Sequence, residues 1–484
     1  MFIVVPYLTS NPPVYGIYTV CISVSIFLAY ADLGFMGAGQ KYAAEHFARG
    51  ETEQEIKVIG FTSFVLFIFL LVFTAVFLYL SINPGLLLKD LVPGKETSIA
   101  SSLLLILALF TPITLLQRLL QMIFGIRLED YIIQRTNIVA SLVKISSVLW
   151  FFRNGQYNIV GYFLFVQIVN FLSAIIALVI ARQLYNYNFK ALASSVRFNK
   201  EVFAKTKTLA LTSLYLTIIW ILYYELDSVI IGKFIGASKV AIYAIGLTVL
   251  SFFRSILGIL FSPFSFRFNH FIGVNDLEGL KRFYLQITIV MAPLVVIPII
   301  SISLFAKSLI LSWVGNDYIE SVEIARFLVL CNLFAFITYP AGMLLMAQER
   351  IKEMYFVNTL IPIVFWLGVA LTYPFWGLKS FAVFKLIAFG ISAIVYYFVI
   401  VKFLNITVIQ LMKKMILPLL LPVLFLVIVS FFVKNFVPYE KSKLNVLIIA
   451  MLTGGCIIGT FFIQYVSSAE IRKTVKGLIA SAKK

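Results

Sequence analysis

Four basic side chains lie well inside long apolar stretches of this sequence, namely Lys144, Arg254, Arg326 and Lys385. A charge inside a membrane is costly, so such residues usually face a cavity or a partner of opposite charge. Arginine binds phosphate oxygens through a planar fork, and lysine binds them as a mobile point charge. These four cations therefore indicate a protein that moves an anionic molecule across a membrane.

Lys144 and Arg254 each lie at the centre of a polar helix face. Asn137, Ser141 and Ser147 recur around Lys144 at intervals of four, three and three residues, which places them on one stripe. The polar face around Arg254 falls within an arc of about 120° at 3.6 residues per turn. Its members are Thr248, Ser251, Arg254, Ser255, Gly258 and Ser262. We expect both faces to line a cavity that binds pyrophosphate, with an ion pair to an acidic side chain as the alternative for each cation.

Further polar side chains extend this predicted substrate-binding set. Lys385, Arg326 and Arg118 would form a graded cationic path, with extension to the lipid headgroups as the alternative for each. Gln167 and Asn170 share a helix face and would either hydrogen-bond substrate hydroxyls or hold helices together.

Three acidic residues, Asp32, Glu225 and Asp227, lie near the ends of apolar stretches. They are candidates for coupling transport to H⁺ or Na⁺ or for pairing with the cations, and the alternative is a hydrated or loop-capping carboxylate. The three cysteines are far apart, and His46 and His270 lie in different connections, so no metal site is predicted. We predict no cofactor, because the sequence also contains no nucleotide-binding loop.

Long apolar stretches must position these residues. The chain has 484 residues, of which 61% are hydrophobic and 12% charged. Stretches of about 20 apolar residues predict transmembrane helices, whereas barrel strands would be shorter and would alternate in polarity. We therefore predict an all-α polytopic membrane protein with about thirteen helices. They lie near 14–37, 57–80, 98–123, 133–153, 157–181, 207–231, 240–263, 283–306, 322–346, 354–375, 379–401, 415–433 and 444–466.

The net charge of +18 follows membrane topology. If the stretch at 14–37 runs from outside to inside, inner connections hold 25 of the 39 Lys and Arg residues and outer connections hold 10. This is the positive-inside bias of membrane proteins, and it argues against nucleic acid as the partner. It places the C-terminus in the cytoplasm. The basic residues of that tail are Arg472, Lys473, Lys476, Lys483 and Lys484.

The chain divides into two pseudo-repeated lobes. We predict an N-terminal lobe at 1–182, a basic cytoplasmic linker at 183–206 and a C-terminal lobe of six helices at 207–402. The remainder, 403–484, forms two extra helices and the basic tail. A loose repeat supports the division, because the segment at 14–20 recurs at 239–245 with an offset of 225. The same offset leaves only about a third of a helix before residue 14. We therefore expect five full helices and a truncated first helix in the N-terminal lobe, with a short outer segment as the alternative.

Three stretches resemble a known family. They are Tyr15–Tyr18 continuing to Ala31–Phe35, Leu226–Gly236 followed by Val240–Tyr243, and Trp313–Tyr318. Their order and spacing resemble the polysaccharide flippases (O-antigen type, Wzx-like) of the MOP, or MATE-like, exporter superfamily. Members have twelve or fourteen helices in two lobes.

The resemblance implies a transporter and not an enzyme. Its substrate would be an undecaprenyl-pyrophosphate-linked oligosaccharide, moved across the bacterial inner membrane by alternating access through a central cavity. Its partners would be that substrate, membrane lipids, and a polysaccharide polymerase and other assembly proteins.

Three alternatives remain open. A lipid II flippase would share the cationic chemistry. A cation-coupled multidrug exporter of the same fold would need cavity acids. A membrane glycosyltransferase or polymerase would need a larger outer loop than those near 81–97 and 307–321.

Overall fold

The computed structural model describes residues 3–28, 32–153, 155–348, 350–405 and 415–469, together with 407, 409, 413, 471 and 472. All regular secondary structure in these residues is helical, which confirms the predicted fold class. Residues 1–2 of the predicted partial helix, Ala31 of the first family-like stretch and the tail residues from 473 onwards lie outside the described residues.

The described helices follow one another with short connections. In chain order they are α1 (Val5–Leu8), α2 (Pro12–Phe27), α3 (Phe35–Ala48), α4 (Thr52–Ile82), α5 (Lys95–Ile126), α6 (Asp130–Phe151), α7 (Ile159–Tyr185), α8 (Phe189–Ser195), α9 (Lys200–Tyr224), α10 (Leu226–Phe234), α11 (Ala237–Gly273), α12 (Leu277–Val314), α13 (Ser321–Leu330), α14 (Ala335–Ala347), α15 (Ile351–Trp376), α16 (Lys379–Leu404), α17 (Leu417–Val433) and α18 (Lys443–Ser467).

Eleven spans within the described residues are long and apolar enough to cross a membrane. They correspond to eleven of the thirteen predicted stretches, with α13 and α14 forming one span. The predicted stretch 207–231 is interrupted at Glu225, where α9 ends and α10 begins one residue later.

The other two predicted stretches, 14–37 and 133–153, are not among the eleven apolar spans. The stretch at 14–37 is divided, because the backbone turns at Leu33 and Gly34, which both have positive φ angles (49° and 78°). Its first part, α2, is a shorter apolar helix of 16 residues. The stretch at 133–153 forms the continuous helix α6. Its polar residues, among them Lys144 and Asn137, keep it outside the set of apolar spans.

The predicted internal repeat is visible in where the helices begin. α2 starts at Pro12 and α11 at Ala237, and α4 starts at Thr52 and α12 at Leu277. Both pairs are separated by the offset of 225 residues that the sequence repeat predicts. The two halves therefore share the positions at which these helices begin, although the single helix α11 of 37 residues stands where the first half has α2 and α3.

Two compact units make up the chain, Met1–Ala241 and Ile242–Lys484. The predicted linker at 183–206 contains α8 and the start of α9, and α9 packs against α3 within the first unit. At that contact the Gly34 backbone lies against the Ala210 carbonyl, where an added Cβ would be 2.3 Å from the oxygen. The first compact unit thus extends beyond the predicted linker. The assignment of 207–402 to one transport lobe stays a prediction.

The last two helices are integrated into the second unit. α17 and α18 pack against each other and against α12. Buried side chains from all three helices, including Phe305, Leu426 and Ile449, form one apolar cluster. The two predicted extra helices therefore share a core with a helix of the second unit.

Candidate functional site

A polar network connects α6 and α7 inside the first unit. The Lys144 ammonium donates to the Asn170 side-chain oxygen at 3.0 Å, and the Asn170 amide donates to Gln167 Oε1 at 3.3 Å. From α5, the Gln117 amide donates to the Asn170 backbone carbonyl at 3.2 Å. The partner of Lys144 among the described residues is thus an amide and not a carboxylate. This arrangement argues against the ion pair that was the alternative for this cation.

The same three helices enclose a polar cavity of about 230 Å³. Arg118, Gln117 and Gln121 contribute from α5, and Asn137 and Ser173 contribute from α6 and α7. No acidic side chain lines this cavity among the residues that the structure describes. The cavity offers one guanidinium and several amide and hydroxyl groups, which suits a ligand that combines negative charge with hydroxyls.

Lys144 keeps spare binding capacity beside this cavity. An ammonium group has three donor positions, and the contact with Asn170 uses one of them. The hydrogen bond from Gln117 fixes the Asn170 backbone, and the hydrogen bond to Gln167 fixes the Asn170 side chain. The structure therefore brings four predicted site residues, Lys144, Gln167, Asn170 and Arg118, to one seam of three helices. Their role in substrate binding stays a prediction.

Arg254 belongs to the second unit, where hydrogen bonds stabilise the helix that carries it. The Asn332 amide donates to the Leu250 carbonyl at 3.2 Å, and the Tyr339 hydroxyl donates to the Arg254 carbonyl at 3.5 Å. Tyr339 also stacks on Phe261, with ring centroids 5.1 Å apart. The Arg254 side chain is half-buried. Its helix face is thus supported by two neighbouring side chains on α14 and the preceding turn.

Lys385 is buried in the second unit instead of extending to the headgroups. Its side chain is 1% exposed, and its ammonium lies 5.3 Å from the Phe365 ring centroid and 6.0 Å from that of Tyr243. Aromatic faces attract cations and can stabilise one that has left water. Lys385 is not among the residues that line the cavity around Arg326. The graded path through Lys385 stays a prediction.

Arg326 and Arg118 lie in different compact units. Arg326 lines a cavity of about 620 Å³ within the second unit, and Arg118 lines the polar cavity of the first. Arg118 is also close enough to Asp32 for their charges to interact. The structure thus joins Arg118 to the Lys144 seam but gives Arg326 a separate environment.

The three candidate acids have structural contacts. The Asp32 carboxylate accepts from the Met36 amide at 2.7 Å and so caps the first turn of α3. Asp227 is fully buried, and its Oδ1 accepts from the Ser228 amide at 2.8 Å. Glu225 is half-buried at the junction of α9 and α10. Ion coupling by these residues stays a prediction. The described residues contain no group of three or more His, Cys, Asp or Glu side chains that could hold a metal.

A second polar centre, which no sequence pattern indicated, lies around Arg127 in the first unit. The Arg127 guanidinium forms an ion pair with Glu55 at 2.9 Å. It also lies over the rings of Phe47, Tyr185 and Tyr187 at 4.6, 4.9 and 5.2 Å. No spacing in the sequence relates these residues, because they come from four different helices and connections.

The Arg127 centre borders a cavity of about 440 Å³. Tyr185 donates to Glu129 across this region. Burial, together with the nearby Glu55 carboxylate, raises the pKa of the Tyr187 hydroxyl. The contacts connect the ends of α3, α4, α5 and α7, so the centre acts first as a structural junction.

The family-like stretches coincide with close backbone contacts in the first unit. Gly16, in the first stretch, lies against the Ala237 carbonyl, where an added Cβ would be 1.8 Å from the oxygen. The carbonyl of Gly232, in the second, accepts a hydrogen bond from the Lys89 backbone amide at 3.0 Å. These residues therefore have a packing explanation that does not depend on substrate.

Comparison with known proteins identifies the fold. The family model described as MatE matches residues 213–373. A solved inward-facing multidrug resistance MATE family transporter of the MOP superfamily aligns with a TM-score of 0.66 and 13% identity, over 85% of this chain and 94% of that one. The lipid II flippase MurJ, in an inward closed conformation, aligns with a TM-score of 0.62 and 12% identity, over 96% of this chain and 98% of that one. No curated protein matches the chain by sequence. At these identities the likeness shows the fold alone, which this chain shares with the MATE family transporter and with MurJ.

Proposed function

We propose that this protein is a flippase that moves an undecaprenyl-pyrophosphate-linked oligosaccharide across the bacterial inner membrane by alternating access. The observation that carries the proposal is the Lys144–Asn170–Gln167 network beside a polar cavity that contains Arg118. Lys144, whose partner among the described residues is an amide, can neutralise a pyrophosphate, and the amides can hydrogen-bond sugar hydroxyls. In this proposal the C-terminus is cytoplasmic, and polysaccharide polymerase and other assembly proteins are partners.

The sign of the charges favours an anionic substrate over a cationic drug. An exporter of cationic compounds needs acidic side chains in its cavity, because opposite charges must meet in a desolvated site. The polar cavity of the first unit offers Arg118 and neutral polar groups within the described residues. A multidrug exporter of the same fold is therefore the weaker alternative.

The last two helices favour a lipid-linked substrate. The alignment with MurJ covers 96% of this chain. The unaligned 4% is shorter than α17 and α18 together, so the alignment includes residues of these helices. The alignment with the multidrug transporter covers 85%. The alignment with a solved lipid II flippase thus covers more of this chain, and lipid II is the second candidate substrate.

Complementation tests the proposal directly. We expect this chain to restore surface polysaccharide in a strain that lacks its oligosaccharide flippase. The double variant Lys144→Ala with Arg118→Ala should lower that output by about tenfold or more, because each lost charged hydrogen bond is worth roughly 1.5–3 kcal/mol. Polysaccharide output is measured at matched protein level in the membrane.

Lys95→Ala is the matched control, because Lys95 is exposed at the start of α5 and lies outside the polar network. It should rescue as well as the parent chain. Normal output from the double variant would overturn the cavity assignment. Rescue of a strain depleted of its lipid II flippase, without rescue of polysaccharide output, would show that the substrate is lipid II and not the oligosaccharide.

Arg254→Lys separates two modes of anion binding. Lysine keeps the charge but loses the planar fork, so partial activity relative to Arg254→Ala is expected if charge alone matters. Activity as low as that of Arg254→Ala would indicate bidentate recognition. The measurement is the same polysaccharide output, with both variants compared at equal membrane abundance.

A further inference from the structure

The cavity around Arg326 lies within the second unit and does not belong to the Lys144 seam. It measures about 620 Å³ and is formed by α12, α13 and the connection between α15 and α16. Its polar side chains are Ser303, Glu323, Arg326 and Lys379. The remaining wall is apolar and includes Phe327, and Trp376 lies at the edge and is half exposed. The cavity therefore combines one cationic corner with an apolar surface.

Arg326 carries an unsatisfied donor in this cavity. Its Nε atom is buried and has no hydrogen-bond partner among the described residues. A buried N–H without an acceptor is unfavourable, so such a group favours binding of an acceptor from outside the chain. Nε and one terminal nitrogen together form the edge of the guanidinium that binds two oxygens of a phosphate or carboxylate. The geometry thus selects an anion with paired oxygens.

The charge of the cavity restricts that anion further. Lys379 forms an ion pair with Glu323, and both side chains are about half exposed. Exposed pairs of this kind contribute little and rearrange readily. Arg326, Lys379 and Glu323 together give a net charge of +1, which one singly charged anion would neutralise. The apolar wall favours a ligand that carries hydrocarbon next to this charge.

We propose that this cavity binds the phosphodiester headgroup of an anionic membrane phospholipid. The Arg326 edge would bind the phosphate oxygens, Ser303 would donate a further hydrogen bond, and the apolar wall would contact the adjoining glycerol and acyl carbons. A phosphodiester carries a single negative charge, as the net charge of the cavity requires. This site lies outside the cargo-binding set proposed above and does not depend on what the protein transports.

Native mass spectrometry of the purified full-length chain in detergent tests the proposal. The probes are phosphatidylglycerol and phosphatidylethanolamine with identical acyl chains, and inorganic phosphate as a competitor. We expect preferential binding of phosphatidylglycerol, and Arg326→Gln should weaken that binding about tenfold or more, since the variant removes the charged donor. Lys307→Gln is the control, because Lys307 packs over Tyr439 and does not line the cavity.

Several outcomes would overturn the proposal. Equal binding of the two lipids would show that the anionic charge is not recognised. Displacement of lipid by millimolar inorganic phosphate would identify a free-anion site. Unchanged phosphatidylglycerol binding by Arg326→Gln would remove Arg326 from the site. If that variant does not fold, the lipid comparison and the phosphate competition on the parent chain still decide between these outcomes.

Discussion

Replacing Arg127 with alanine is expected to lower the midpoint of thermal unfolding in detergent by a large amount. The side chain is 9% exposed and the carboxylate of its partner Glu55 is 1% exposed, so the substitution leaves a buried charge without its counter-ion. Removing one member of a buried pair costs about 3–5 kcal/mol. The guanidinium also donates to the Ile123 carbonyl at 3.0 Å, and this hydrogen bond is lost as well.

The aromatic contacts of Arg127 should be visible in a conservative variant. Arg127→Lys keeps the charge, but it loses the planar group that lies over Phe47, Tyr185 and Tyr187. We expect an unfolding midpoint between those of the parent chain and Arg127→Ala. The gap between the two variants then measures how much of the stabilisation is electrostatic.

A double-variant cycle separates the ion pair from general packing. Arg127→Ala combined with Glu55→Ala should be less destabilising than the sum of the single changes, because neither charge is then left alone. Arg153→Ala is the control, since Arg153 is exposed after the end of α6. Strict additivity, or an Arg127→Ala midpoint equal to that of the control, would contradict the assignment of a structural junction.

Replacing Gly16 with alanine is the second change with a large expected effect. The added Cβ would lie 1.8 Å from the Ala237 carbonyl oxygen and 2.5 Å from its carbon. These atoms belong to the backbone at the start of α11, so they can give way only if a helix moves. Overpacking costs about 1–3 kcal/mol when side chains can adjust. A backbone obstacle should place this variant at or above the upper end of that range.

The measurement is again the unfolding midpoint, together with the yield of protein that elutes as a single species in detergent. Gly454→Ala is the matched control, because Gly454 lies in α18 with no heavy atom near its added Cβ. Alanine there should be neutral or slightly stabilising, by about 0.5–1 kcal/mol, since glycine weakens helix interiors. An equal effect of both variants would show that the Gly16 contact is not rigid.

Apolar length predicted most of the helices because it is a local property of the chain. Eleven of the thirteen predicted stretches correspond to apolar spans of the structure. Apolar length did not predict the break near Leu33, because residues on both sides of it are apolar. The turn depends on backbone angles and on the cap by Asp32. Apolar length did not predict the interruption at Glu225 either, because the residues that flank it are largely apolar.

Helical spacing predicted part of the candidate site. Spacing within a helix placed Lys144 on a polar face of α6 and Asn170 on a polar face of α7. The structure alone shows that these two residues meet. Spacing did not show that Lys385 is enclosed by the rings of Phe365 and Tyr243. That enclosure depends on helices that are distant in sequence.

The sequence by itself determined the membrane class and most of the membrane-spanning helices, because hydrophobic length is a property of the chain alone. Tertiary structure alone decided the partners of each charge. Arg127 meets Glu55, Lys144 meets Asn170, and Arg326 keeps a buried nitrogen without a protein acceptor. The physical reason is that electrostatic contacts require a few ångströms of separation, and packing between helices sets those distances.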